Sequence, residues 1–235
     1  MMKKQFIYAV ILTLFSASTA SMLSSCSSAP VNESDPAALY KDAEDDVKND
    51  HYQIAIDKLR TIRNKFPYSK YAVDAQLRLA DVYFLQEDYA EAAAAYETFR
   101  DLHPKHEKVA YAMFRIAKSY FKDSPTNVAR DLTPAQKAVD SYQEYLHRFP
   151  NADNAQEAQN DLAAARSLLA DKELYIGNFY YKRDFYDSAK PRFERILVLY
   201  PETAAATEAK DKLAKIADYE AKHPKSEQKG TDQNG

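Results

Sequence analysis

Ala55-Ile-Asp-Lys-Leu59-Arg-Thr-Ile62-Arg-Asn-Lys-Phe-Pro67 recurs in kind, though not in letters, at Ala92 to Pro104, Ala138 to Pro150 and Ala189 to Pro201. In each copy an alanine stands twelve positions before the proline. A large apolar or aromatic residue stands eight before it (Leu59, Tyr96, Tyr142, Phe193) and another five before it (Ile62, Phe99, Tyr145, Ile196). These separations put all three side chains on one stripe of an α-helix, and proline stops the helix because it lacks an N–H to donate. Self-similarity over tens of residues is the mark of a solenoid.

The upstream half of each unit agrees. Ala43, Ala80 and Gly177 lie nine residues before Tyr52, Tyr89 and Tyr186, and Tyr83 and Tyr180 follow the last two small residues by three. The third unit has the same pair, Ala117 and Tyr120, with nine extra residues before its second half. A small residue lets antiparallel helices approach, bulky residues fill the gap and proline ends the second helix. This is the tetratricopeptide pattern. The expected fold is all-α, a tetratricopeptide-repeat solenoid of about five helix-pair units, elongated and curved.

Composition narrows the function. The 235 residues include three glycines, Gly177, Gly230 and Gly235, so Gly-rich phosphate loops, dinucleotide fingerprints and nucleophile elbows have nothing to be built from. His103 and His106 straddle Pro104, which breaks the helix that paired metal ligands need. Acidic residues alternate with lysines at helical spacing, as on a solvated face. No catalytic residue, metal or cofactor is expected, and the chain reads as a non-enzyme. Its formal charge of −3 becomes −5 once Lys3 and Lys4 leave with the leader, so nucleic acid is not an expected partner.

Lys3 and Lys4 precede the apolar run Phe6 to Phe15, too short for a permanent span but suited to a signal peptide. Leu23-Ser24-Ser25-Cys26 then resembles the lipobox of bacterial lipoproteins, in which the cysteine thiol takes diacylglycerol and becomes the new first residue. Cys26 is the sole cysteine, so no disulfide competes for it. Ser27 in the following position implies, by resemblance to sorting rules, the outer membrane. The expected organisation is a signal peptide over 1–25, the lipidated Cys26 and a flexible tether over 26–36, a repeat domain over 37–222 and a disordered polar tail over 223–235.

Two departures from the bare repeat stand out. An insertion in the third unit, Phe121 to Pro134, falls where solenoids gather binding loops as well as tolerated surface loops. From Asn154 to Asp184 no proline interrupts, and Leu162-Ala163 and Ile176-Gly177 lie fourteen residues apart. This predicts one helix of about thirty residues serving two successive units, roughly 45 Å long. Its charges, among them Arg166, Lys172 and Glu173, with Arg183 at its end, are expected to be exposed and make it a candidate docking rod. A closing helix is expected from about Ala205 to Lys222, with Ala209, Leu213 and Ala214 in repeat phase.

The ordered combination of lipobox, tether, repeats, third-unit insertion (ending Ala129-Arg-Asp-Leu-Thr-Pro-Ala-Gln-Lys-Ala138) and elongated helix resembles the BamD (ComL) family over residues 1 to 222. These are lipoproteins of the outer-membrane β-barrel assembly machinery. The resemblance implies a non-enzymatic subunit held in the outer membrane by acyl chains on Cys26 and facing the periplasm. It implies docking on the POTRA domains of a BamA-type barrel subunit through the carboxy-terminal repeats, beside other assembly lipoproteins. Unfolded outer-membrane proteins would be received by the amino-terminal repeats. The alternative is another periplasmic repeat lipoprotein, one that scaffolds peptidoglycan synthesis or envelope constriction.

In this repeat the inward positions of the first helices would be Tyr40, Glu44 and Val47, then Asp74, Leu77, Asp81 and Phe84, then Tyr111, Phe114, Lys118 and Phe121. The lysine and asparagine that clamp acidic peptide tails in related repeats are absent from their phases, which hold Tyr40, Leu77, Phe114 and Glu44, Asp81, Lys118. The expected groove is aromatic and suits an extended apolar segment, such as the last strand of a barrel protein. Lys118 is placed to meet a peptide carboxylate, and Asp74 and Asp81 to meet basic residues.

Overall fold

The structure is a computed structural model that describes residues 34–223; Cys26, the signal peptide, most of the tether and the end of the tail lie outside the described residues. Nine helices run through the described residues: α1 Pro36–Lys48, α2 Tyr52–Lys65, α3 Tyr71–Leu85, α4 Tyr89–Leu102, α5 Val109–Asp123, α6 Thr133–Arg148, α7 Ala155–Tyr181, α8 Tyr186–Leu199 and α9 Ala204–Lys222. Each packs mainly on its neighbours in sequence, as a solenoid requires. No described helix is long and apolar enough to cross a membrane.

The periodic positions form the core. Ala55, Ala92, Ala138 and Ala189 are fully buried, as are Leu59, Tyr96, Tyr142 and Phe193. Ile62, Phe99, Tyr145 and Ile196 complete the stripe at no more than 1 % exposure. The residue before each proline leaves the helical region (φ between −127° and −136°), because the proline ring crowds a helical predecessor. There Phe66, His103, Phe149 and Tyr200 each donate a backbone N–H to Ile62, Phe99, Tyr145 and Ile196 respectively.

The turns inside the units share a second device. Asp50, Glu87 and Asp184 adopt left-handed backbone (φ 59°, 65° and 60°). The next N–H in each turn, from His51, Asp88 and Phe185, reaches back to the carbonyls of Asp46, Tyr83 and Tyr180. This closes the helix end with a non-glycine residue where glycine is usual. The third unit lacks the device because its insertion intervenes. That insertion is pinned: Leu132 is 3 % exposed inside the carboxy-terminal core, Asn127 and Asp131 side chains accept from the N–H groups of Ala129 and Thr133, and Lys172 Nζ donates to the Arg130 carbonyl at 2.6 Å.

The long helix spans 27 residues, about 40 Å. Its two expected crossing pairs are not equivalent, since Gly177 is buried and Ala163 exposed. Fourteen residues fall about 40° short of four full turns, so the buried stripe drifts and Ala165 and Leu169 take the contact instead. In α9, likewise, Ala209 and Ile216 are buried whereas Ala214 faces out.

Candidate functional site

The first helices of the units carry a connected polar face. The Arg78 guanidinium forks onto Glu44 (Nε to Oε1 2.6 Å, Nη2 to Oε2 3.0 Å) and lies 3.8 Å from Asp81. Asp81 Oδ1 accepts from the hydroxyls of Tyr96 (2.5 Å) and Tyr111 (2.7 Å). Arg115 donates to the Tyr96 oxygen at 3.1 Å and sets its guanidinium 3.6 Å from the centre of the Phe84 ring. Lys118 binds Glu157 (2.8 Å) and Asp161 (2.7 Å), and Asp161 also accepts from Tyr142. At the amino end the Tyr40 and Tyr71 rings lie 5.7 Å apart.

The charges fix the state of this face. Burial pushes the Tyr40 hydroxyl up to about 12, with Glu44 adding to it. Burial and then Asp81 bring Tyr111 to about 12 as well. Both stay protonated donors at any physiological pH. Burial opposes the Lys118 charge, but hydrogen bonds to Asp161 and Glu157 outweigh it and raise the ammonium above the usual lysine range.

These contacts revise the expected groove. Phe114 is 4 % exposed and belongs to the core with Tyr142 and Tyr145, its ring 5.7 Å from that of Tyr145. Leu77 packs on the core around Tyr96, and Phe121 packs on Tyr142. Phe84 rests on the same core as Leu77, with Arg115 over its ring. Lys118 and Asp81 are already paired within the chain. Of the named groove residues, Asp74 and Tyr111 are exposed, Phe114 is buried, and Tyr40, Leu77, Asp81, Phe84, Lys118 and Phe121 are partly exposed. The physical reason is one of phase. The outward face runs through Asp74, Arg78 and Asp81, and through Tyr111, Arg115 and Lys118; Phe114, to one side of that line, turns fully inward, and Leu77 is partly covered by the core beside it. Arg78 and Arg115, which the repeat phase does not assign to this face, stand 37 positions apart, the same period as the residues beside them.

Three of the charges expected to be exposed on α7, Arg166, Lys172 and Glu173, are partly buried and paired within the chain. Arg166 donates to Glu202 (2.5 and 3.1 Å) and to the Leu199 carbonyl. Glu173, whose side chain is 14 % exposed, receives Arg192 at 3.0 Å and Arg195 at 3.5 Å. Lys172 holds the insertion. A long helix shared by two units must satisfy both neighbours, so its charges brace the fold, contrary to the expectation of an exposed rod. Arg183 alone of the four is exposed, with its guanidinium 3.8 Å from the Phe179 ring centre. Phe179 and Tyr175, about half exposed, extend it into a stripe at fourth-residue spacing. The signal for that stripe was present in the sequence as aromatics out of phase with Leu174, Gly177 and Tyr181.

Among the described residues no group of three or more His, Cys, Asp or Glu could hold a metal ion.

Residues 32–232 match the family model described as YfiO: Outer membrane lipoprotein. The outer membrane protein assembly factor BamD of Vibrio cholerae serotype O1 (strain ATCC 39315 / El Tor Inaba N16961) is 29% identical over 197 residues, covering 79% of this chain and 82% of its own length. The protein of the same name from Neisseria meningitidis serogroup A / serotype 4A (strain DSM 15465 / Z2491) is 27% identical, covering 73% of this chain and 67% of its own. That of Pasteurella multocida (strain Pm70) is 28% identical, covering 83% and 79%.

Proposed function

The chain belongs to the YfiO family of outer membrane lipoproteins, and from that premise we propose that it is a non-enzymatic assembly factor for outer-membrane β-barrel proteins. It is anchored through acyl chains on Cys26 and faces the periplasm. The observation that carries the reading is the division of exposed surface between the two ends of the repeat domain. The amino-terminal units expose Asp74 and the ring of Tyr111, with Tyr40 partly exposed beside them, groups of the kind that meet an extended chain, and unfolded barrel proteins are the clients. The carboxy-terminal half offers the apolar and cationic stripe Tyr175, Phe179 and Arg183, which docks the periplasmic POTRA domains of a BamA-type barrel subunit beside other assembly lipoproteins. Aromatic residues and arginine are the types that dominate interface energetics.

Photo-crosslinking from position 179 in intact envelopes tests the docking, and crosslinking from position 111 tests the client site. Capture of the barrel subunit at the first and of unfolded barrel chains at the second is expected. Capture of cell-wall synthases at either would refute the assignment.

A further inference from the structure

The turn between α2 and α3 differs in charge from its counterparts. From Thr61 to Val73 it holds Arg63, Lys65 and Lys70 and no acidic residue, and all three cations are exposed. The matching window after α4 sets Asp101 and Glu107 against Arg100, Lys105 and Lys108. The window after α6 sets Glu144 and Asp153 against Arg148, and the one after α8 sets Glu202 against Arg195. At the tip of the first turn Tyr68 is fully exposed (101 %), a ring that no described residue covers. This is a protrusion, not a recess, so it suits a broad surface better than a bound side chain.

Topology puts this turn at the end of the repeat domain where the chain enters it. Because α1 and α2 are antiparallel, the start of α1 lies at the same end as the end of α2, and the rings of Tyr40 and Tyr71 meet there. The other end of that hairpin, about 20 Å away along the thirteen residues of α1, carries Asp45, Asp46 and Asp50 with Lys48, and Lys58 of α2 reaches back to Asp46. At the entry end Arg63, Lys65 and Lys70 outnumber the exposed Asp35 and Asp74, so the hairpin is net basic there and acidic away from it. Asp35 stands nine positions after Cys26, a reach of at most about 32 Å for any extended chain.

We propose that the α2–α3 turn rests on the anionic headgroup surface of the membrane that holds the chain's lipid anchor. Tyr68 enters the interfacial layer, and Arg63, Lys65 and Lys70 meet lipid phosphates. Tyrosine suits that layer because it has an apolar body and a polar tip, and basic residues near anionic lipid are attracted to it. The contact rests on the reading that Cys26 is acylated, and it adds what acyl chains alone do not supply, a fixed orientation of the first unit relative to the bilayer.

The chain contains no tryptophan, so Tyr68→Trp creates a single emitter at a position where the fold makes no demand on the side chain. The acylated full-length variant is reconstituted in phosphatidylethanolamine–phosphatidylglycerol vesicles and, separately, in phosphatidylcholine vesicles. Blue-shifted emission quenched by brominated lipid is expected in the anionic vesicles. The effect should shrink at high salt and on replacing Arg63, Lys65 and Lys70 by glutamine. A Tyr219→Trp reporter at the far end should remain unquenched. Vesicle-bound Tyr68→Trp protein that emits as in water would overturn the proposal while leaving the anchor intact. Failure of the unsubstituted chain to float with vesicles would refute the anchor and the proposal together. A blue shift that needs added barrel subunit instead of lipid would assign the turn to a protein partner, also overturning it.

Discussion

A β-carbon placed on Gly177 would lie 2.5 Å from Cε1 of Phe193, well inside the contact distance of two carbons. The ring is fully buried and has no free side to move into. The one glycine of the repeat region thus sets how closely α7 and α8 approach, a matter of side-chain volume with no demand on backbone angles.

Gly177→Ala is accordingly expected to lower unfolding free energy by about 1–3 kcal/mol, and Gly177→Leu by more. Phe193→Leu in the alanine background should recover part of the loss. Urea titrations of the three variants check this, and unchanged midpoints would mean that the helices separate freely.

Asp161 is 16 % exposed and joins Lys118 to Tyr142 across three helices. Asp161→Ala leaves the Tyr142 hydroxyl without its acceptor, at a cost of about 1–3 kcal/mol. A double-mutant cycle with Lys118→Met should show coupling, whereas Lys118→Met with Glu157→Gln should show less. Additive effects throughout would remove the brace.

Glu87 holds left-handed backbone without a side-chain bond to the tyrosine two places on, whereas the carboxylates of Asp50 and Asp184 accept from Tyr52 (2.6 Å) and Tyr186 (2.8 Å). Relief of the left-handed strain outweighs the chain entropy of glycine by about 0.5–1 kcal/mol, so Glu87→Gly should stabilise the fold. Asp50→Gly and Asp184→Gly lose a hydrogen bond and should gain less or nothing. Guanidinium unfolding separates the three.

His103 donates from Nε2 to Gln76 at 2.9 Å, and burial, with His106 beside it, holds its imidazole below the usual histidine range. The folded state therefore prefers the neutral ring. That contribution is complete above pH about 6.5, the unfolded value, and is lost as pH falls through the lowered folded value. Hydrogen-exchange protection at the α4–α5 junction, corrected for the intrinsic rate, should fall between pH 7 and 5 on that account. His103→Gln should flatten the change.

Phe179→Ala is expected to weaken binding to the barrel subunit's periplasmic domains by about 1–3 kcal/mol with helicity intact. Arg166→Glu should instead lower thermal stability, because Glu202 then faces a like charge. Calorimetry and thermal melts on the same samples distinguish a docking residue from a brace, and equal loss of affinity and stability in both would erase the distinction.

The fold was legible because its signals are periodic. An alanine, a bulky residue and a proline in fixed phase describe a buried stripe and its end, and all four copies pack as that phase requires. The candidate site was less legible, since Leu77 and Arg78, like Phe114 and Arg115, flank the same outward line from opposite sides, about 100° apart around the helix. The repeat phase names Asp74, Asp81, Tyr111 and Lys118, which lie on the outward side, but adds the buried Phe114 and omits Arg78 and Arg115, and aromatic character gave no warning because these repeats use aromatics in their core. The charges of α7 misled for another reason. A lone chain shows that Arg166 or Glu173 is charged but not that Glu202 and Arg192 come within reach, a fact of tertiary geometry 36 and 19 residues away.

The continuity of α7 has a mechanical consequence. One unbroken helix carries both Asp161, which holds Lys118 of α5, and the stripe at Tyr175 and Phe179, so no break in that helix separates the two positions. A load applied at one end of this helix is expected to reach both of the units it serves. The yielding points are the braces at the rod's flanks, Lys118 with Asp161 on one side and Arg166 with Glu202 on the other. Cutting either brace, by Lys118→Met or by Arg166→Met, is therefore expected to loosen one flank of the helix and leave the other held.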